Sequence, residues 1–150
     1  MNANTYYKLE QIKEQICSDL DINTNDVSVE YIEDTNPECF SKVQYLEDKY
    51  RIKVYTKSFT YFQEIVYAVA HELRHVWQYI HGHGPTKGHD INTYDKTYDY
   101  NVCEIDANRY ADVMIYGKKH KINNKYNMYF SSEELDTYCI ECLKAGITPA

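Results

Sequence analysis

Apolar residues follow two different spacings along this chain. A recurrence every three or four residues, which places apolar side chains on one face of a helix, predicts helices over residues 4–20, 61–81, 102–114 and 131–144. Alternation of apolar or aromatic with polar residues predicts short strands over 27–32, 41–46 and 50–55. The order of these elements predicts an α+β fold, with an N-terminal helix, a three-stranded sheet and three further helices.

The second predicted helix has a signal at each end. Thr60 followed by Gln63 resembles a capping box, and Gly82 is a natural terminator. One side of this helix is expected to enter the core through Val66, Val69, Ala70, Leu73, Val76, Trp77 and Ile80. Another side bears Glu64, Ala68, His71, His75 and Gln78. Two histidines therefore share one side of a helix that is otherwise largely apolar.

These histidines belong to the only segment whose residues indicate a particular chemistry, the HELRH sequence from His71 to His75. Residues four apart on a helix lie one above the other, so both imidazoles are directed to one point, and neutral imidazoles suit zinc. Glu72 lies beside that point, where a carboxylate is able to take a proton from the attacking water. An HExxH pattern is expected by chance only about 0.02 times in a chain of this composition. The motif therefore predicts a zinc site with Glu72 as general base.

A catalytic zinc site requires a third protein ligand, and we look for it on the third predicted helix. There Glu104 shares a surface with Ala107, Asn108 and Ala111, whose small alanines would allow close approach to the HELRH helix. Asn108 is one turn further on, where it would be able to hydrogen-bond a zinc-binding histidine. Asp106 has the same chemistry as Glu104 but points to another side of the helix. It remains the alternative ligand.

The combined pattern resembles the ImmA/IrrE-type metallopeptidases, which are similar in turn to the wider gluzincin group. The matching residues are His71, Glu72 and His75, followed by Glu104, Ala107, Asn108, Tyr110 and Ala111. The resemblance implies Glu104 as third ligand, Zn²⁺ as cofactor and a minimal zincin-like domain. Asn108 stands where many gluzincins have aspartate. Since such enzymes often act on DNA-binding repressors and are often encoded on phage or mobile elements, a repressor is the implied substrate.

Composition limits the setting in which this chemistry would take place. A length of 150 residues fits one domain, and neither a signal peptide nor an apolar stretch long enough for a membrane span is evident. Five scattered cysteines argue against a complete disulfide framework and favour the cytoplasm. The net charge of −7 makes nucleic acid an unlikely partner, which disfavours a protease of the SprT-like kind.

Several smaller features of the sequence lead to further expectations. Residues 50–55 are expected to form a sheet edge beside the cleft, to which a peptide substrate would add as a strand. Residues 82–97 are expected to form an irregular loop; its histidines and the nearby tyrosines receive no catalytic role. Cys139 and Cys142 are interpreted as an inert helical pair rather than a redox or zinc pair. The basic run from Lys118 to Lys121 is expected to be a solvated loop or helix end.

The sequence thus predicts a zinc-dependent endopeptidase with His71, His75 and Glu104 as ligands and Glu72 as general base. The alternative is a catalytically silent zinc-binding protein that holds a partner in its cleft. Nothing in the residue pattern alone distinguishes turnover from binding.

Overall fold

The computed structural model describes residues 1–82, 102–117, 139–140, 142–144 and 146–148. Within these ranges the chain has the predicted α+β architecture, with helices and one three-stranded sheet. The elements are α1 (Ala3–Asp19), β1 (Val27–Ile32), β2 (Ser41–Leu46), β3 (Lys49–Tyr55), α2 (Phe62–Ile80) and α3 (Val102–Tyr116). Single turns of 3-10 helix cover Thr24–Asp26 and Thr56–Ser58. The predicted strands agree with the observed ones to within one residue.

The sheet has the strand order β1-β3-β2. At its centre, Ile52 of β3 pairs in parallel with Val29 of β1 and antiparallel with Val43 of β2. The prediction that residues 50–55 form an edge strand is therefore wrong, because β3 has a partner on both sides. Alternation along a strand reports which face is buried, whereas strand order depends on how the connections cross the sheet. The short β2–β3 connection, in contrast, makes those two strands neighbours.

Helix α2 is enclosed by the other elements. It contacts β2, β3, α1 and α3, and every one of its residues from Val66 to Val76 is buried. The predicted core side is confirmed for Val66, Val69, Ala70, Leu73 and Val76, whereas Trp77 is partly buried and Ile80 is 49% exposed. Ile80 is the last residue of the helix. Because α3 packs against a second side of α2, the polar residues of the HELRH segment are also enclosed.

The start of α2 differs from the predicted capping box. The carboxylate of Glu64, not the side chain of Gln63, accepts hydrogen bonds from the backbone N–H groups of Thr60 at 2.7 Å and Tyr61 at 3.1 Å. Tyr61 is the N-cap residue, and Gln63 is exposed. A glutamate at this position also interacts favourably with the positive end of the helix dipole.

The C-terminal helix was predicted over residues 131–144, and the part before Cys139 lies outside the described residues. Cys142 is buried as expected, but Cys139 and Leu143 are exposed instead of packing into the core. Ile147 is buried and donates its backbone N–H to the carbonyl of Cys142 at 2.8 Å. All five cysteines are free thiols. Across the described ranges, no helix is long and apolar enough to cross a membrane.

Candidate metal centre

The two histidines of α2 meet at their Nε2 atoms. The Nε2 atoms of His71 and His75 lie 3.1 Å apart, and their rings are nearly perpendicular, at 85°. Both side chains are buried. The helical spacing of four residues therefore brings two ring nitrogens to one point, as the sequence predicts.

Glu104, in the first turn of α3, completes this cluster. Its Oε1 lies 3.2 Å from Nε2 of His71, and its Oε2 lies 3.0 Å from Nε2 of His75. In a tetrahedral zinc site with bonds of 2.0 to 2.2 Å, neighbouring ligand atoms are about 3.3 Å apart. The two imidazole nitrogens are separated by nearly this distance, and the carboxylate of Glu104 faces each of them with a different oxygen. Two imidazoles with one carboxylate are a donor set that zinc accepts.

The charges in this cluster depend on one another. Burial by itself raises the pKa of Glu104, but the adjacent histidines outweigh it and hold that pKa well below its usual range. Burial lowers the pKa of His71, yet Glu104, followed by Glu72 and Asn108, raises it to about 9. The cluster therefore favours positive charge at its centre, which either a proton or a metal cation would supply.

Glu72 is close to the same point but is held differently. His71, Glu72 and His75 each have a ligand atom within 4.8 Å of the others, so Glu72 is a geometric competitor for the third ligand position. However, its Oε1 accepts a hydrogen bond of 2.7 Å from the hydroxyl of Ser41 on β2. Glu104, in contrast, contacts both histidines. Burial raises the pKa of Glu72, although the two histidines and Ser41 oppose this shift.

Asp106, the alternative ligand, lies in a different environment. It is fully buried, and its Oδ2 and Oδ1 accept hydrogen bonds from Nε and Nη2 of Arg74 at 2.6 and 3.2 Å. Oδ2 also accepts a hydrogen bond of 2.9 Å from Gln78. The carboxylate of Asp106 is therefore engaged in joining α3 to α2, whereas Glu104 faces the histidines.

Asn108 lies one turn after Glu104 and is buried, and its side chain is one of the groups that raise the pKa of His71. The hydroxyl of Tyr67 is 3.1 and 3.2 Å from the backbone carbonyl and Oδ1 of Asn108. Ala107 and Ala111 are completely buried between the helices, which is the close packing that their small size predicts. Asn108 is thereby joined to Tyr67, which precedes His71 by one turn of α2.

Three residues near this centre received no role from the sequence. Ser41 is 31 residues before Glu72, and no local pattern links them. Gln78 was placed on the side of α2 that bears the histidines, and this was the available signal for its contact with His75. Arg74 lies between the two histidines in the sequence, but only the fold reveals its buried partner Asp106.

The histidines of the predicted irregular loop, the tyrosines near it and the basic run lie outside the described residues. These are the loop histidines His83 and His89, the tyrosines Tyr94, Tyr98 and Tyr100, and the basic run from Lys118 to Lys121.

Comparison with known proteins does not extend these observations. No family model matches the chain, and neither a curated protein nor a solved structure was found to be similar. The class of this site therefore follows from its donor atoms and their geometry.

Proposed function

We propose that this chain is a zinc-dependent metallopeptidase in which His71, His75 and Glu104 bind the metal. The observation that carries this proposal is the close approach of Nε2 of His71, Nε2 of His75 and the carboxylate of Glu104, with contacts of 3.0 to 3.2 Å and a different oxygen of Glu104 facing each histidine. Three protein ligands on one face of a tetrahedron leave the fourth position for water or substrate, which is the arrangement of catalytic rather than structural zinc.

Glu72 supports the catalytic interpretation. Its carboxylate is next to the ligand atoms but is turned to Ser41 on β2. Burial raises the pKa of this carboxyl above its ordinary value, which is the direction that suits a general base. When bound, zinc would polarise a peptide carbonyl and lower the pKa of a water molecule to about 7. Glu72 would take the proton from the attacking water and return it to the departing amine.

The proposed substrate is a peptide or protein. The resemblance of HExxH and ExxAN to ImmA/IrrE-type enzymes supports a regulatory protein, such as a phage or mobile-element repressor, as the target. The net charge of −7 does not favour a phosphate backbone as partner. The cytoplasm is the proposed compartment, which is consistent with five free cysteines.

The test combines metal content with cleavage. We expect the purified protein to bind one zinc ion per chain and to cleave members of a diverse peptide library, detected by mass spectrometry. Glu72→Gln should retain zinc and lose hydrolysis, because its amide is unable to accept the proton. Glu30→Gln, the same change at an exposed position of β1, is the matched control.

The outcomes separate the candidate functions. A Glu72→Gln variant with full activity would exclude the proposed mechanism. A wild-type protein that binds zinc but cleaves nothing, and whose Glu72→Gln variant binds a partner equally well, would instead identify the catalytically silent zinc-binding protein. Absence of zinc binding would exclude both.

A further inference from the structure

Gln78 makes hydrogen bonds with both of its amide atoms, and these bonds link α3 to His75. Its Nε2 lies 2.8 Å from the backbone carbonyl of Cys103 and 2.9 Å from Oδ2 of Asp106. Its Oε1 lies 2.9 Å from Nδ1 of His75. The side chain is 1% exposed, so water does not replace these contacts.

The partners of Gln78 determine which way its amide faces. A carbonyl and a carboxylate are both acceptors, so the NH₂ group must be the part that faces Cys103 and Asp106. The amide oxygen is thereby directed to His75, and Nδ1 of that ring must carry the hydrogen. The lone pair of the neutral ring then lies on Nε2, the atom that faces His71 and Glu104.

Asp106 is itself held in place. Arg74 binds it through two N–H groups, and Nη2 of Arg74 also donates to the backbone carbonyl of Thr148 at 2.6 Å. The guanidinium lies 3.9 Å from the ring centroid of Trp77. The acceptor that orients Gln78 is therefore fixed by a buried ion pair.

We propose that Gln78 is a positioning residue that fixes the metal-binding tautomer of His75, with the Arg74–Asp106 ion pair holding its amide in the required orientation. This inference rests on the proposed zinc centre. Groups that orient a ligating histidine in this way typically contribute 10- to 100-fold to metal affinity.

The principal test is the zinc affinity of Gln78→Met, measured by competition with a chelator. Methionine has a similar length but offers no amide, and we expect affinity to fall by about 10- to 100-fold. Gln63→Met, the same change at an exposed position of α2, should bind zinc like the wild type. Equal affinities for the two variants would overturn the proposal.

A second variant separates positioning from a purely structural contribution. Gln78→Glu retains an acceptor for Nδ1 of His75 but brings an acidic group next to Asp106. If Gln78 positions His75, zinc affinity should be largely retained in Gln78→Glu even where its free energy of unfolding falls. Zinc affinity as low as that of Gln78→Met would assign Gln78 a structural role only.

The tautomer of His75 gives a readout that needs no zinc. In the wild type without metal, the carboxylate of Glu104 competes for a hydrogen on Nε2 of His75, so the tautomer is measured in Glu104→Ala. At a pH at which the ring is neutral, long-range ¹H–¹⁵N correlation spectra of metal-free Glu104→Ala should show hydrogen on Nδ1, and adding Gln78→Met should remove this preference. This tautomer in Glu104→Ala, together with a wild type that fails to bind zinc, would refute the proposed function and leave the orienting role of Gln78 intact; the opposite tautomer in Glu104→Ala would refute the inference itself.

Discussion

The hydroxyl of Ser41 donates a hydrogen bond of 2.7 Å to Oε1 of Glu72. Ser41 is the first residue of β2, and Glu72 is buried in α2. The sheet thus takes part in the candidate site, because it holds the carboxylate that the sequence predicts to be the general base.

Loss of this hydrogen bond should affect both stability and turnover. In Ser41→Ala, the buried carboxylate loses a donor, which typically costs about 1–3 kcal/mol. We expect the free energy of unfolding, measured in urea, to fall by that amount, and the rate of peptide cleavage to fall with zinc still bound. Ser28→Ala, at an exposed position of β1, should change neither. Unchanged cleavage by Ser41→Ala would show that Glu72 does not need this contact.

Glu104 and Asp106 should respond differently to truncation. Glu104→Ala is expected to lose zinc but to keep its fold, because its carboxylate contacts the two histidines at a partly exposed site. Asp106→Ala should lose about 3–5 kcal/mol of stability, since it leaves Arg74 buried without its charge partner. Zinc content and thermal unfolding, measured on both variants, check this. Full zinc content in a folded Glu104→Ala variant would contradict the assignment.

The Arg74–Asp106 ion pair should show strong coupling in a double-mutant cycle. Each single replacement, Arg74→Met or Asp106→Leu, leaves a buried charge unpaired, whereas the double replacement removes both charges. We expect the double variant to be more stable than the sum of the two single effects predicts, by at least about 1 kcal/mol. Chemical denaturation of the four proteins gives this value; additive effects would mean that the ion pair contributes no coupling.

The two cysteines of the CxxC segment should differ in reactivity. Cys139 is exposed, whereas Cys142 is completely buried. Burial also raises the pKa of the Cys17 thiol, which lowers its fraction of reactive thiolate. Alkylation of the native protein at pH 8, followed by peptide mass spectrometry, should therefore modify Cys139 and leave Cys142 and Cys17 protected until the protein unfolds. Joint oxidation of Cys139 and Cys142 to a disulfide would instead support a redox pair.

Local patterns were sufficient for most secondary structure. Helical and strand periodicity located α1, α2 and the three strands closely, because the side of an element that is buried depends on residues near in sequence. The sequence signals for the ends of helices were less informative. Gln63 and Glu64 are adjacent and are both able to accept hydrogen bonds, and the backbone geometry at Thr60 and Tyr61 selects Glu64.

The sequence by itself determined the pair of imidazoles, since a four-residue spacing on one helix brings His71 and His75 together in any fold that forms that helix. Only the tertiary structure decided the remaining contacts. Glu104 and Asp106 have similar chemistry and are two residues apart, so the packing of α3 on α2 sends one to the histidines and the other to Arg74. The order of the strands, and the contacts that Ser41 and Gln78 make with other elements, likewise depend on residues that are distant in sequence. Periodicity along the chain contains no information about such pairs.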